Sequence, residues 1–201
     1  MIRAVIFDFG NVLYSFRVAT FFEQLARRST CTVAQLLALM PDVSRLAIAY
    51  ETGLLTSDAF FEQLTAMARI QISRQDFIDS YTAIFTRIDS TATLIRQLKP
   101  HYRLGLLSNT NEWHYEHNIR TVDVFPLFDA VTLSFEVRAM KPAPAIYEDM
   151  LRKIGSEANT CLYIDDIPEY VEAAKQLGMH AIQYTGHDAL IRDLRTHLVR
   201  V

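Results

Sequence analysis

Acidic and polar residues stand where several short apolar runs of the sequence end. They are Asp8, the pair Ser108 and Asn109, and the pair Asp165 and Asp166. A carboxylate buried at the end of a strand is costly unless it has a partner or a task. In α/β folds, the carboxyl ends of parallel strands usually face the cleft that binds a ligand. We therefore predict one acidic site built from several strand ends.

Three carboxylates in one cleft repel each other, and either a proton or a divalent cation must relieve that repulsion. Oxygen ligands of this kind suit Mg²⁺, which also binds phosphate oxygens. Lys141 and the start of a helix after Asn109 could receive an anionic group. The chemistry that fits this set is phosphoryl transfer to an aspartate, followed by hydrolysis.

Each of these residues also has a simpler interpretation when it is taken alone. A strand-end aspartate such as Asp8, or the pair Asp165 and Asp166, can cap a helix. Lys141, which precedes a proline, can be a solvated surface lysine. Only the order and the positions of these residues together favour a catalytic site.

Five short apolar runs, each ending in turn residues, predict buried parallel strands. They cover residues 3–8, 103–108, 130–133, 161–165 and 180–184. From residue 90 onward, helical segments alternate with them, at residues 91–98, 111–121, 144–154 and 168–177. This alternation predicts an α/β fold with a doubly wound, Rossmann-like parallel sheet.

Residues 15–88 interrupt the alternation, because they have helical periodicity and no evident strand. We therefore expect a catalytic core formed by residues 1–14 and 89–201, with an inserted helical cap at residues 15–88. An alternative is that the insert is a helical bundle whose only role is packing.

Composition excludes several classes of protein. The chain has 201 residues, a formal net charge of −3, two cysteines, no basic run, and no apolar stretch long enough to span a membrane. We expect no nucleic-acid or membrane partner and no disulfide framework. The N-terminus has no signal-peptide pattern, which suggests a soluble cytoplasmic protein. The oligomeric state stays open.

Four motifs in order resemble those of the haloacid dehalogenase-like hydrolase superfamily, across the whole chain. They are Ile-Phe-Asp-Phe-Gly-Asn-Val at 6–12, Leu-Leu-Ser-Asn-Thr-Asn at 106–111, Met-Lys-Pro at 140–142, and Tyr-Ile-Asp-Asp at 163–166. The position of the insert, and its segment Tyr-Glu-Thr-Gly-Leu-Leu-Thr at 50–56, resemble the helical-cap subclass. Within it, the chain is most similar to sugar-phosphate phosphatases and to the phosphatase domains of bifunctional epoxide hydrolases.

This resemblance implies a Mg²⁺-dependent phosphatase that acts on small phosphorylated metabolites. Asp8 would be the nucleophile that becomes an aspartyl phosphate. Ser108 and the amide of Asn109 would bind the phosphoryl oxygens, and Lys141 would neutralise charge on the phosphoryl group and the nucleophile.

The resemblance also implies a set of metal ligands. They are Asp8, the main-chain carbonyl of Gly10, Asp166 and Asp165, with Asp165 supporting either the metal or Lys141.

Gly10 is a departure from the family pattern. Phosphatases of this family usually carry a second aspartate there, as general acid and base, and losing such a group typically costs about 10²–10⁴ in rate. One alternative is therefore a catalytically weakened metabolite- or partner-binding protein. Another is a 2-haloacid dehalogenase, in which Asp8 would attack carbon.

Three further residues have open roles in the sequence. Tyr170 stands where the fourth motif often has Asp or Asn. His114 is a candidate substitute for the missing proton donor, whereas a structural or solvent-facing role is the alternative for both His114 and His117.

Overall fold

A five-stranded parallel sheet forms the centre of the protein in the computed structural model, which describes residues 1–27 and 29–200. The strands of the chain are β1 (Ala4–Phe7), β2 (Tyr14–Phe16), β3 (Phe85–Arg87), β4 (Arg103–Ser108), β5 (Ala130–Leu133), β6 (Cys161–Asp165) and β7 (His180–Gln183). The order in the sheet is β5-β4-β1-β6-β7, and every neighbouring pair is parallel.

Eleven α-helices lie in the described part of the chain. They are α1 (Val18–Ala26), α2 (Val33–Ala38), α3 (Met40–Glu51), α4 (Ser57–Met67), α5 (Arg74–Thr82), α6 (Asp89–Leu98), α7 (Glu112–His114), α8 (Ser134–Val137), α9 (Pro144–Ile154), α10 (Pro168–Gln176) and α11 (His187–Thr196). A π-helical turn at Tyr115–Ile119 follows α7, and 3₁₀ turns cover Phe125–Leu127 and Ala158–Thr160. None of the described helices has the length and apolar character to cross a bilayer.

Helices cover both faces of the sheet. Val5 and Phe7 of β1 pack into one core cluster with residues of α6 and α11. Ala4 and Ile6 of β1 point to the other face, where they join a cluster with residues of α9 and α10. A strand buried on both faces needs apolar residues at every position, as β1 has. The doubly wound α/β fold is confirmed.

Helices α1–α5 build a separate core between β2 and β3. Its centre is aromatic: the rings of Phe60, Phe77 and Tyr81 contact one another, with centroid distances of 5.3–6.3 Å. Trp113 of α7 also belongs to this cluster, so the helical block packs against the loop that follows β4.

The expectation of no strand within residues 15–88 is wrong at both ends. β2 and β3 pair antiparallel and form a two-stranded ribbon where the chain enters and leaves the helical block. Helix α5 ends at Thr82, and Phe85, three residues later, pairs with Phe16 across this ribbon.

Two helix predictions also need correction. The helix expected at residues 111–121 is one α-helical turn, α7, continued by the π-helical turn. Helix α11 has no counterpart among the predicted helices, and it packs Leu190 and Leu194 into the core cluster of the sheet.

Candidate active site

The ends of β1, β4 and β6 bring the expected polar residues to one edge of the sheet. Asp8 directly follows β1, and its backbone N–H donates to the carbonyl of Ile164 in β6 (2.9 Å). Lys141, which lies before α9, is buried and points its ammonium group at this edge. Its Nζ lies 2.7 Å from Asp8 Oδ1 and 2.6 Å from Asp165 Oδ2. The structure therefore gathers these three charges in one buried cluster.

The carboxylate of Asp165 accepts three hydrogen bonds. Its Oδ2 accepts from Lys141 and from the hydroxyl of Tyr163, and its Oδ1 accepts from the backbone N–H of Ile167 (2.9 Å). Tyr163 also receives a hydrogen bond from Lys141 Nζ (3.0 Å). Of the two roles considered for Asp165, this arrangement favours support of Lys141 over direct binding of a metal.

Asp166 is held more loosely than Asp165, by one side-chain hydrogen bond. Asn11 Nδ2 donates to its Oδ2 (3.0 Å), and the residue is partly exposed. Oxygens of Asp8, Asp165 and Asp166 all lie within 4.8 Å of one another. The three carboxylates face the single ammonium group of Lys141, so the cluster carries excess negative charge.

The pKa shifts in the cluster follow from burial and charge. Burial, and then the charge of Asp165, raises the pKa of Asp8 above its usual range, although Lys141 opposes this. Burial also raises the pKa of Asp166, with a further contribution from Asp165. Burial alone would lower the pKa of Lys141, but Asp8 and Asp165 raise it, so the ammonium form persists. Hard oxygen donors with unrelieved negative charge fit a Mg²⁺ ion.

Asn109 and Tyr170 fix the position of Lys141. The side-chain amide of Asn109 donates to the Lys141 carbonyl (3.1 Å) and accepts from the Lys141 backbone N–H (2.8 Å). The ring of Tyr170 lies 5.0 Å from Lys141 Nζ, within the range of a cation–π contact. Ser108 ends β4 beside Asn109 and is buried.

Gly10, two residues after Asp8, has no side chain that could donate a proton. A Cβ built there would lie 3.0 Å from the Phe16 ring and 3.8 Å from Asp8 Oδ2. The φ of Gly10 is outside the left-handed region; Asn11, with φ 54°, makes the positive turn instead. The backbone therefore does not require glycine at this position.

Two cavities meet at this edge of the sheet. The first, which we call the reaction cleft, measures about 190 Å³ and is lined by Asp8, Lys141 and Asp166 among others. The second, which we call the apolar cavity, measures about 160 Å³ and lies between the sheet edge and the helical block. Gly10, Phe16, Glu51 and Asn109 line both.

Glu51 is the last residue of α3 and brings a carboxyl group from the helical block to this junction. Ser134 anchors it to the sheet, because Ser134 Oγ donates to the Glu51 carbonyl (2.6 Å) and accepts from the Thr110 N–H (2.8 Å). No described residue forms a hydrogen bond with the Glu51 carboxyl group. Burial raises the pKa of Glu51 from 4.5 to about 7.

His114 is a structural residue rather than a free proton donor. Its Nδ1 is paired with Asn111 Nδ2 (3.1 Å) and its Nε2 with the Tyr81 carbonyl (3.3 Å), while its ring stacks on that of Tyr81. Burial lowers the pKa of His114 to about 4, so the imidazole is neutral near pH 7. His117 is exposed. The structural interpretation of His114 is thus the better one.

Sequence reasoning assigned no role to Tyr163, Asn11 or Glu51. All three lie inside quoted segments of the sequence, but only the fold shows that Tyr163 and Asn11 hold Asp165 and Asp166. A signal for Glu51 did exist in the sequence. A carboxylate at the last position of a helix faces the negative end of the helix dipole, and this unfavourable placement suggests a functional reason.

Comparisons with known proteins agree with this geometry. A family model described as haloacid dehalogenase-like hydrolase matches residues 2–178. Phosphatase MT3486 of Mycobacterium tuberculosis is 27% identical over 96% of this chain and 94% of its own. D-ribitol-5-phosphate phosphatase of Bacteroides thetaiotaomicron is 24% identical over 91% of this chain and 92% of its own.

A solved structure shows the same fold. The crystal structure of a haloacid dehalogenase family enzyme from Bacteroides thetaiotaomicron, in complex with magnesium and inorganic phosphate, superimposes with a TM-score of 0.83. It covers 100% of both chains at 21% sequence identity. Because the family model spans most of the sequence and the strand-end acids converge as its motifs require, the chain belongs to the haloacid dehalogenase-like hydrolases.

Proposed function

We propose that this hydrolase is a Mg²⁺-dependent phosphatase that acts on small phosphorylated metabolites through an aspartyl-phosphate intermediate. The observation that carries the proposal is the position of Asp8, whose Oδ1 is held 2.7 Å from Lys141 Nζ where three acids converge. The names of full-length relatives, Phosphatase MT3486 and D-ribitol-5-phosphate phosphatase, support phosphate ester hydrolysis.

In this proposal, the chain's own residues orient and activate the nucleophile. Lys141 holds one oxygen of Asp8 and opposes the rise in pKa that burial causes there, which favours the carboxylate form that attacks phosphorus. Lys141 then balances the negative charge that develops on the phosphoryl group. Ser108 Oγ and the Asn109 backbone amide bind phosphoryl oxygens at the end of β4. Water next hydrolyses the acyl phosphate and restores Asp8.

The residues present fit a magnesium ion. Asp8, Asp166 and the carbonyl of Gly10 would hold it, with Asp165 fixing Lys141 beside them. When bound, Mg²⁺ offsets the negative charge that a phosphate ester adds to an already acidic cleft.

Residues 15–88 act in this proposal as a cap on a core formed by residues 1–14 and 89–201. Helix α3 ends with Glu51 at the reaction cleft, and aromatic residues of the helical block line the adjoining apolar cavity. The reaction would thus take place in a space that the helical block partly shields from water.

Replacement of the nucleophile tests the proposal. Asp8→Asn is nearly isosteric but cannot form an acyl phosphate, so phosphate release across a panel of phosphorylated metabolites should fall to background. Asp188→Asn, an exposed residue on α11, is the matched control and should retain full activity. The parent protein should require Mg²⁺, and rapid quenching should reveal a phosphoryl group covalently attached to Asp8.

Other outcomes would identify the alternatives. If the parent protein releases no phosphate with any substrate in the presence of Mg²⁺, release of chloride from a 2-haloacid would identify a dehalogenase. Absence of chloride release as well would indicate a binding protein on a weakened hydrolase scaffold. If Asp8→Asn keeps activity within a few-fold of the parent, another residue is the nucleophile.

A further inference from the structure

The apolar cavity adjoins residues to which the proposed function assigns the binding of the phosphoryl group and the metal. It opens beside Gly10, Ser108 and Asn109, which belong to the phosphoryl end of the site. From there it extends between side chains of the helical block and the ribbon. These include Phe16, Phe21, Phe22, Phe60 and Phe85. A phosphate ester bound at Asp8 would therefore direct its leaving group into an aromatic space.

Most side chains that line this cavity are apolar, and two of its polar side chains, Tyr81 and His114, already have partners in the protein. Both ring nitrogens of His114 are paired, and the Tyr81 hydroxyl accepts from Asn111 Nδ2 (3.0 Å). Neither lysine nor arginine is found among the described residues that line it. A second phosphate or a carboxylate would find no cation there, and most hydroxyl groups of a polyol would lose their water without a replacement partner.

The size of the cavity limits what it holds. Its volume of about 160 Å³ is close to that of an apolar protein cavity of about 150 Å³ that binds one benzene molecule. The space therefore suits one six-membered ring or a branched alkyl group of similar volume.

We propose that the substrates are phosphate monoesters whose leaving group is apolar and about the size of a single ring, an inference that rests on the proposed phosphatase function. The apolar cavity selects the leaving group by its shape and by the free energy gained when apolar carbon leaves water. The residues at the edge of the sheet carry out the reaction.

Two esters with equal numbers of carbon atoms test this selectivity. Isopentyl phosphate and D-ribitol 5-phosphate are both esters of primary alcohols, but only the second carries hydroxyl groups along its chain. We expect kcat/KM to favour isopentyl phosphate by about 10² or more, because buried hydroxyl groups without partners are penalised strongly. Benzyl phosphate should also be a good substrate.

The possible failures are distinguishable. Equal or better hydrolysis of ribitol 5-phosphate would overturn the selectivity while leaving the phosphatase function intact. Absence of phosphate release from every ester would overturn the phosphatase function itself, and this inference with it.

A variant that fills the cavity gives a second test. Ala47 of α3 lines the apolar cavity, and Ala47→Leu adds volume there while keeping a residue that favours helix. We expect kcat/KM for benzyl phosphate to fall about tenfold or more, with little change for the small ester methyl phosphate. Ala66→Leu, at an exposed position on α4, is the control and should change neither value. Equal effects of Ala47→Leu on both esters would contradict a leaving-group pocket.

A different observation supports a second inference, about the proton that the leaving group needs. Gly10 supplies no acid, yet Glu51 and Gly10 line the same two cavities. The Glu51 carboxyl group lacks a hydrogen-bonding partner among the described residues, and its backbone is tied to the sheet through Ser134. We infer that Glu51 is the general acid and base of this enzyme, delivered from the helical block in place of the usual aspartate.

The proton balance is complete with this residue. As Asp8 attacks, the bond from phosphorus to the ester oxygen breaks, and that oxygen takes the proton of the Glu51 carboxylic acid to leave as an alcohol. The resulting Glu51 carboxylate then accepts a proton from the water that attacks the acyl phosphate. The bond from phosphorus to the Asp8 oxygen breaks, inorganic phosphate forms, and both residues return to their starting states.

The raised pKa of Glu51 supports this role, since an acid with a pKa near the working pH can both donate and accept. Other titratable groups share its surroundings. Those in the reaction cleft are Asp8, Lys141, Asp166 and Tyr170, and those in the apolar cavity are Tyr81 and His114.

Glu51→Gln tests the inference, because glutamine keeps the shape and removes the exchangeable acid. We expect kcat/KM for an alkyl ester such as isopentyl phosphate to fall about 10²–10³, and that for p-nitrophenyl phosphate to fall only a few-fold, since its leaving group needs little protonation. The descending limb of the pH–rate profile above about pH 7 should disappear with the alkyl ester. Glu62→Gln, exposed on α4, is the control and should leave both rates unchanged.

Two results would overturn this role. One is an equal loss with both esters, which would indicate that Glu51 binds or positions the substrate without transferring a proton. The other is an unchanged pH profile. As a further check, Gly10→Asp should restore part of the alkyl ester activity of Glu51→Gln, because the closest contact of a Cβ at Gly10, at 3.0 Å, is with the partly exposed ring of Phe16.

Discussion

The two cavities that meet at Glu51 are built in opposite ways. In the reaction cleft, charged groups hold one another at fixed distances, as Lys141 does between Asp8 and Asp165. In the apolar cavity, aromatic side chains from several short elements pack without directional bonds, as Phe21 and Phe60 do against Tyr81. Hydrogen-bonded charge fixes geometry strongly, whereas apolar packing tolerates replacement of one side chain by another of similar volume.

This difference assigns different tasks to the two regions. A change in the reaction cleft leaves a buried charge without its partner, so it should damage both stability and chemistry. A change in the apolar cavity alters mainly which leaving group fits, so it should shift selectivity and leave the reaction intact. Substitutions in each region measure how far selectivity and chemistry are separated in this protein.

The largest effect is expected from Lys141→Met. The methionine side chain fills similar space but leaves the carboxylates of Asp8 and Asp165 buried without a cation. We expect the free energy of unfolding near pH 7 to fall by about 3–5 kcal/mol, together with loss of turnover. Urea unfolding followed by circular dichroism measures the first, and phosphate release measures the second.

The control for this variant is Lys175→Met, which removes a lysine from an exposed ion pair with Glu172. Its free energy of unfolding should change by no more than about 0.5 kcal/mol. An equal loss in the free energy of unfolding for Lys141→Met and Lys175→Met would contradict this prediction. The buried ion pairs of Lys141 would then contribute no more to stability than an ion pair on the surface.

Asp166→Ala should have a smaller effect, limited to the binding of Mg²⁺. Loss of one charged ligand should raise the Mg²⁺ concentration for half-maximal activity by at least about 10², because even residues that only support a ligand are typically worth 10–100-fold. Asn11→Gly, which removes only the hydrogen bond to Asp166, should raise it by about tenfold. Glycine also accepts the positive φ of Asn11. A Mg²⁺ titration of Asp166→Ala that matches the parent's would place the metal elsewhere.

The same contrast explains what the sequence could predict. The residues of the reaction cleft stand at the ends of strands, and the strands are short apolar runs such as residues 161–165. Both the strand ends and the polar residues there could therefore be predicted from the sequence. The parallel sheet then brings these ends together whatever the loops do. For this reason Asp8, Lys141 and Asp165 could be grouped before any contact was known.

The apolar cavity could not be predicted in the same way, because its geometry depends on packing between segments that are distant in the sequence. Strands β2 and β3 have three residues each and pair across the entire helical block, so neither has a local pattern long enough to be recognised. The direction of the Glu51 side chain depends on how α3 docks on the sheet through Ser134. No periodicity of the sequence contains that information.

The smallest effect expected is a change in the pH dependence of stability caused by Glu51→Gln. Burial raises the pKa of Glu51 from 4.5 to about 7, so the folded protein binds this proton more tightly than the unfolded chain does. The stabilisation that this gives is complete at low pH and is lost as the pH rises through about 7. Allowing for the partial exposure of Glu51, we expect the parent to lose about 2 kcal/mol more of its free energy of unfolding than Glu51→Gln does between about pH 4.5 and pH 8.

Urea unfolding at a series of pH values measures the difference between the parent and Glu51→Gln. Glu62→Gln is the control, and its free energy of unfolding should follow that of the parent. Parallel curves for the parent and Glu51→Gln would mean that the carboxyl group is as well hydrated as one on the surface. The junction of the two cavities would then be polar, and the boundary between the charged and apolar regions would lie deeper in the helical block than Glu51.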